Sequence, residues 1–398
     1  MRLAISAILV LAAVPGIAAG GVSIQKAKGE RVKNSYIITL KASANKETSV
    51  QMASAEPDSE VTHVRWNSEV FNGFAGVFSD EAIKKMAEDS SVMAIEEDCI
   101  VHISAHPNTT QKNAPWGMQR ISQRSKTSNQ NAAALDFSYK YDQRAGNGTD
   151  IYVIDTGINT SHDDFGGRAI WGMTFGGYAK KDGNGHGTHV AGTAIGTRFG
   201  VAKKARAYAV KVLADNGSGQ LSDVISGITW AVSRSMSSGR PSVINLSLGR
   251  GTSQALDRAV NSAADQGVHV AVAAGNDNID AGETSPARAA GAIAVGGTNI
   301  SDYRAYFSNY GSAVALLAPA QNIVSTWIGS KTATKTLSGT SMASPHVAGL
   351  IAYYISMHGN ATPSSIRSKL QSLATAGKLK NLPSGTKNLI ANTGIGRG

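Results

Sequence analysis

A single cysteine, Cys99, in 398 residues excludes an intrachain disulfide framework, so the chain must be held by packing. Long apolar runs are also missing. Leu3 to Val14 is too short to span a bilayer as a helix, and no later run reaches the length a span requires. Clustered positive charge is scarce although the formal net charge is +10, because the basic residues are scattered, with only short pairs such as Lys180-Lys181 and Lys203-Lys204. That distribution describes a solvated surface rather than a nucleic-acid footprint. Charged residues make up 17% and hydrophobic ones 42%, which excludes a disordered or fibrous chain and implies a compact one of two or three domains.

The charge divides the chain. Residues 21–108 hold 9 Lys+Arg against 13 Asp+Glu, net −4, whereas residues 109–398 hold 28 against 15, net +13. An acidic front segment and a basic body should attract each other. Met1-Arg2, the apolar run and the small residues Ala18-Ala19-Gly20 form a secretory signal peptide over 1–20, so a secreted, extracellular protein with no membrane partner is expected. Asn-x-Ser/Thr sequons at Asn147, Asn159, Asn216, Asn299 and Asn360 are then glycosylation candidates. Asn108 also heads a sequon, and Asn245 heads one inside an apolar strand, where no glycan is expected.

Residues 36–103 predict a small α+β unit: a strand at Tyr36–Leu40, alternating residues from Val70 to Phe78, a helix over Asp80–Asp89 and a strand over Val92–Ile103. The stretch from Lys41 to Val61, with Pro57, is short for a helix, and residues 104–112 form a polar linker. Beyond Trp116 the texture changes. Apolar runs at Ile151–Ile154, Ala207–Leu213, Val243–Leu248, Val268–Ala274 and Ala292–Val295 alternate with helical stretches at His186–Ile195, Leu221–Met236, Ser253–Gln266 and Ser341–Met357. Strands apolar on both faces and separated by helices predict an α/β fold, a parallel sheet with helices on both sides and its ligand beyond the carboxyl ends of the strands.

Three segments carry chemistry. Asp155-Thr156-Gly157 follows a strand, but aspartic-protease pairing needs a second such motif and none occurs. The glycine-rich run Asp182 to Gly192 lacks the Lys-Ser/Thr of a phosphate loop, and His186 and His189 lack zinc-site spacing. Ser341, after Gly339-Thr340, opens a helix with a backbone N–H beside it, and Ala343 breaks the Gly-x-Ser-x-Gly elbow of α/β-hydrolases. Asp, His and Ser in this order resemble the subtilisin superfamily (subtilases). The nearer likeness is to proteinase K-like secreted fungal serine endopeptidases, through Asn113-Ala114-Pro115-Trp116-Gly117, Tyr152 to Gly157 and Phe307 to Ser312. Residues 36–103 resemble the inhibitory propeptide of the same family, with Phe71 to Gly76 as the clearest piece.

The resemblance implies a signal peptide (1–20), a ferredoxin-like inhibitory propeptide (21–108) and a three-layer subtilisin-like peptidase domain (109–398). It implies Ser341 as nucleophile, His186 as base, Asp155 as its orienting acid and Asn276 as oxyanion donor. Ser247, Leu248, Gly249, Ala273, Ala274 and Gly275 match the walls of the primary specificity pocket, and Gly217, Ser218 and Gly219 the edge that pairs with substrate. These walls are small and apolar, so an apolar or aromatic residue before the scissile bond and broad selectivity are expected. The resemblance further implies a self-processing zymogen, a monomer, acting on protein and peptide substrates and inhibited by its own propeptide; keratin, cuticle or other host and nutrient proteins are conceivable targets. A catalytically silent peptide-binding homologue is the alternative. No cofactor or metal is expected: the family's calcium aspartates align with Ala315 and Lys378.

Overall fold

A computed structural model describes residues 21–27, 31–100, 108–249 and 251–395. The signal peptide, the end of the strand expected to reach Ile103 and residues 104–107 of the linker lie outside these residues, whereas residues 108–112, expected as linker, are paired as strand. The chain divides into two compact units, residues 1–105 and 106–398. Asn108–Ala114 is a strand whose backbone pairs with Phe137–Asp142, Asn108 lying opposite Asp142, so Asn108 packs with the second unit.

The first unit is ferredoxin-like. Strands Arg31–Leu40, Glu60–His63, Gly73–Val77 and Val92–Cys99, with helices Lys46–Ser54 and Asp80–Glu88, follow the order βαββαβ. The first of these strands lies between the fourth and the third, and each neighbouring pair among the four is antiparallel. The stretch read as short for a helix holds one of nine residues, Lys46–Ser54. Asn45 caps it by accepting from Thr48 N, its Ala53 is buried, and Pro57 falls beyond its end. Ser79 caps the second helix in the same way, accepting from Ala82 N. Ile38, Phe74, Ile83, Met86 and Ile95 fill the core between the helices and the sheet.

The second unit is built on nine strands: β1 (Asp150–Asp155), β2 (Ala169–Thr174), β3 (Arg206–Lys211), β4 (Ser242–Leu246), β5 (His269–Ala273), β6 (Ala292–Thr298), β7 (Val314–Pro319), β8 (Thr375–Ala376) and β9 (Leu389–Ile390). They lie in the order β8-β9-β7-β6-β5-β4-β1-β3-β2, all parallel except the short β8–β9 pair. Their alternation explains the doubly apolar sequence runs. Ile151 and Val153 of β1 face one core with helices α1 (His186–Ile195) and α4 (Thr340–His358), whereas Tyr152 and Ile154 face a second core with α2 (Leu221–Ser238) and α3 (Gln254–Asp265). The helix α5 (Pro363–Leu373) and the strands β2 and β7 were not read from the sequence. Ser253 caps α3, and Gly267, at φ +81°, turns the chain just after it.

Register brings the carboxyl ends of the central strands together. Asp155 pairs with Lys211 at the end of β3, and Asn245 near the end of β4 lies beside Val153. Every catalytic or pocket residue expected from the sequence lies at this edge, as does an antiparallel hairpin, Ile323–Thr326 with Thr334–Leu337, that leads into α4.

Candidate active site

Asp155 is fully buried at the end of β1. Its carboxylate lies 2.8 and 2.9 Å from His186 Nδ1 and accepts from Thr156 N at 2.7 Å. A carboxylate only accepts, so Nδ1 carries the proton and Nε2 is left as the free ring nitrogen. Burial opposes a charge on His186, but the Asp155 carboxylate and its hydrogen bond outweigh it and raise the imidazole pKa above its usual value.

The helix that presents His186 starts without a side-chain cap, because its N-cap residue is Gly185, whose φ is +99°. A side chain there would also strike the Trp327 ring. Asp182 supplies the missing acceptor: one oxygen takes Gly185 N, Asn184 N and the Thr156 hydroxyl, and the other takes Thr188 N and its hydroxyl. Asp182 thereby ties the helix start to the turn after Asp155.

Ser341 stands in the first turn of α4, and Pro345 lies one turn on. Proline has no N–H to give the Ser341 carbonyl, and the hydroxyl of Ser247 donates to that carbonyl instead, at 2.8 Å. In return Ser341 Oγ donates to Ser247 O at 3.0 Å, so the hydroxyl is parked on the pocket wall. The buried chain Ser344–Asn245–Ser247 holds this wall: Ser344 Oγ donates to Asn245 Oδ1, and Asn245 Nδ2 to Ser247 Oγ. Asn245 is thus a buried structural group, as its place in an apolar strand suggested.

Asn276 follows β5. Its carbonyl oxygen accepts from both Thr340 N and Thr340 Oγ1, at 2.8 and 2.9 Å, which leaves Nδ2 as the free end of the side chain. Asn309 shapes the turn, accepting from Asp277 N and Ile279 N and donating to Ala274 O. Gly275, at φ +106°, is required because a Cβ would meet the Asn309 amide.

His186, Ser341 and Asn276 line one cleft of about 910 Å³ with the expected wall residues Ser247, Leu248, Gly249, Ala273, Ala274, Gly275, Gly217, Ser218 and Gly219. Asp155 lies beneath it. Asp277 is the only carboxylate among the described lining residues. Reading the sequence missed Thr340, Asn309, Asp182 and also Lys211, whose buried ammonium donates to Thr156 O and Asp215. Thr340, Asp182 and Asn309 stood inside segments already singled out, and Lys211 lay within an apolar run, but no local signal gave any of them a role.

His189, one turn beyond His186, works differently. Its Nε2 lies 3.0 and 3.1 Å from Ile323 O and Lys335 O, one carbonyl on each strand of the hairpin. Burial lowers its pKa to about 3, so it is neutral and structural. Among the described residues no cluster of three or more His, Cys, Asp and Glu is arranged to hold a metal. Ala315 is sealed in the core on β7, and Lys378 is exposed. Of the sequon asparagines, Asn147, Asn216 and Asn360 are exposed, whereas Asn159 and Asn299 are half-buried. No helix among the described residues is long and apolar enough to cross a membrane.

Residues 146–396 match the subtilase family, and residues 35–104 match the peptidase inhibitor I9 family. The chain is 49% identical over 341 residues to the subtilisin-like serine protease Pen ch 18 of Penicillium rubens, covering 81% of this chain and 68% of that one. It is 46% identical over 349 residues to alkaline protease 2 of Aspergillus fumigatus, covering 81% and 69%. The crystal structure of a cold-adapted subtilisin-like serine proteinase superposes with a TM-score of 0.65 at 44% identity, covering 71% of this chain and 98% of that one. The two matched regions coincide with the two folded units, and the chain belongs to the subtilase family of serine proteases, with an I9 inhibitor domain as its propeptide.

Proposed function

We propose that this protease is a secreted endopeptidase in which Ser341, His186 and Asp155 form the triad and Asn276 the oxyanion site. The observation that carries this reading is the meeting of the Asp155–His186 pair, the Ser341 helix start and the free amide of Asn276 in one cleft. Turning about its Cα–Cβ bond takes Ser341 Oγ off the Ser247 carbonyl and toward His186 Nε2. As Oγ bonds to the substrate carbonyl carbon, its proton passes to Nε2, and the oxyanion is met by Asn276 Nδ2 and Ser341 N–H. The C–N bond then breaks as Nε2 returns the proton to the leaving amine, and water reverses the sequence to free the acid. Asp155 stabilises the imidazolium that forms.

The small, largely uncharged walls suit an apolar or aromatic side chain before the scissile bond. Extended substrate would pair along Gly217–Gly219. The signal peptide read from the sequence supports secretion, and the I9 domain preceding the protease supports a zymogen that processes itself. Ser341→Ala, expressed without other proteases, should abolish peptide hydrolysis and fluorophosphonate labelling and leave the precursor uncut. Wild-type protein that neither labels nor cleaves peptides would instead identify a silent peptide-binding homologue, and a trimmed Ser341→Ala chain would refute self-processing.

A further inference from the structure

A second cavity, of about 460 Å³, reaches the start of α1 through Asp182, whereas Asn184 and His186 line the cleft. Its rim carries Lys180, Lys181 and Lys331, all exposed, and among the described residues no carboxylate forms an ion pair with any of them. Asp182 forms part of its lining, but both its oxygens are already filled by five donors, as described above. Asp215, toward the cleft, feels Lys181 but is itself bonded to Lys211. The exposed Asp163 lies under the hairpin tip, its N–H donating to Lys331 O. Trp171, Ile158 and Ile328 supply apolar wall.

The cavity is joined to the catalytic groups by two short links. Thr156 lines the cleft while its hydroxyl donates to Asp182 in the cavity. Trp327, against Gly185 just before His186, is followed by Ile328 in the cavity wall, and a fourth cation, Lys335, lies 4.1 Å above the Trp327 ring. The acyl half of a substrate is accounted for by the cleft. With the substrate carbonyl between Ser341 and Asn276, the leaving amine takes its proton from His186, and the residue before His186 adjoins Trp327, next in the chain to Ile328 of the cavity wall.

We infer that this cavity is a subsite for the leaving-group side of the polypeptide substrate and that it selects carboxylate side chains a few residues beyond the scissile bond. The assignment rests on the triad proposed above. Unpaired ammonium groups ringing a concave, partly apolar wall are complementary to an acidic segment and repel a basic one. The site is free only while Asn159 carries no glycan. Its amide donates to Ser330 O and its carbonyl accepts from the Ser161 hydroxyl, both within the cavity wall, so a sugar there would fill the space.

The test uses the self-processed enzyme and internally quenched peptides sharing one apolar acyl half and bearing Glu, Gln or Lys at the second to fourth positions after the scissile bond. Contacts between exposed charges are weak singly, so kcat/KM for Glu over Lys should be raised about 3- to 10-fold at low salt and shrink toward unity in 1 M salt. The triple variant Lys180→Glu, Lys181→Glu, Lys331→Glu should invert the ratio, and the three Gln substitutions should level it. Mass spectrometry of the secreted chain should find Asn159 bare. Active enzyme that is blind to leaving-side charge, or a fully glycosylated Asn159, overturns the subsite alone. Enzyme that cleaves none of the peptides overturns the triad assignment and the subsite with it.

Discussion

The two sides of the site, cleft and cavity, differ in kind. The cleft is walled by small apolar residues and holds one carboxylate, whereas the cavity is rimmed by ammonium groups. On the proposed function, recognition in the cleft would rest on shape and on apolar area removed from water, which salt barely alters. Recognition in the cavity rests on charge in a wet setting, which salt screens within about 10 Å at 0.1 M. On both proposals the protease would grip the acyl half of its substrate indifferently to ionic strength and read the leaving half through the medium it works in.

The largest effect should come from the group between the two sides. Asp155→Asn should lower kcat/KM by about 10⁴-fold for every peptide, whatever its leaving side, because the amide favours the wrong imidazole tautomer. The same change should move the acid limb of the pH profile. In the wild type His186 must be neutral to act, so activity falls as pH drops through a value above the usual 6.5 of histidine. Without the carboxylate, burial is opposed only by the charge of Asp182, and that limb should shift to lower pH. A pH–rate profile of both proteins decides it, and an unmoved limb would separate the raised pKa from Asp155.

A smaller loss, about 10²- to 10³-fold and confined to kcat, is expected for Asn276→Ala, since its amide meets charge only in the transition state. Steady-state kinetics on the Glu and Lys peptides should show both falling together, leaving the preference for leaving-side charge intact. If that preference collapsed, cleft and cavity would not be independent. The smallest effect is expected from chelation. Ala315 in the core and the exposed Lys378 leave no carboxylate at the aligned calcium positions, so EDTA should shift Tm by no more than about 1 °C and leave both sides working. A drop of several degrees, restored by calcium, would place a cation where neither side has been credited with one.

The parallel sheet and the segments that meet at the cleft were legible in sequence because each is written locally: a carboxylate after an apolar strand, a histidine after a glycine run, a serine opening a helix. What escaped depends on residues far apart in the chain. Thr340 orients Asn276 from 64 positions away, and Ser247 meets Ser341 across 94. The helix at Lys46–Ser54 escaped for a different reason, since its apolar positions are few and only Asn45 marks its start. The cavity was invisible because Lys180-Lys181 and Lys331 are separated by 150 residues and meet only after folding.

Pro345 leaves the Ser341 carbonyl in the first turn of α4 without its usual donor, and a residue of the pocket wall fills the place. Taste and reactivity thereby share an atom. A lineage of such enzymes cannot exchange the Ser247 hydroxyl for another side chain to change its diet without loosening the nucleophile, whereas Leu248, half-buried and with no polar group in its side chain, is free to drift. Room for new specificity is thus distributed unevenly along a wall that lines a single pocket.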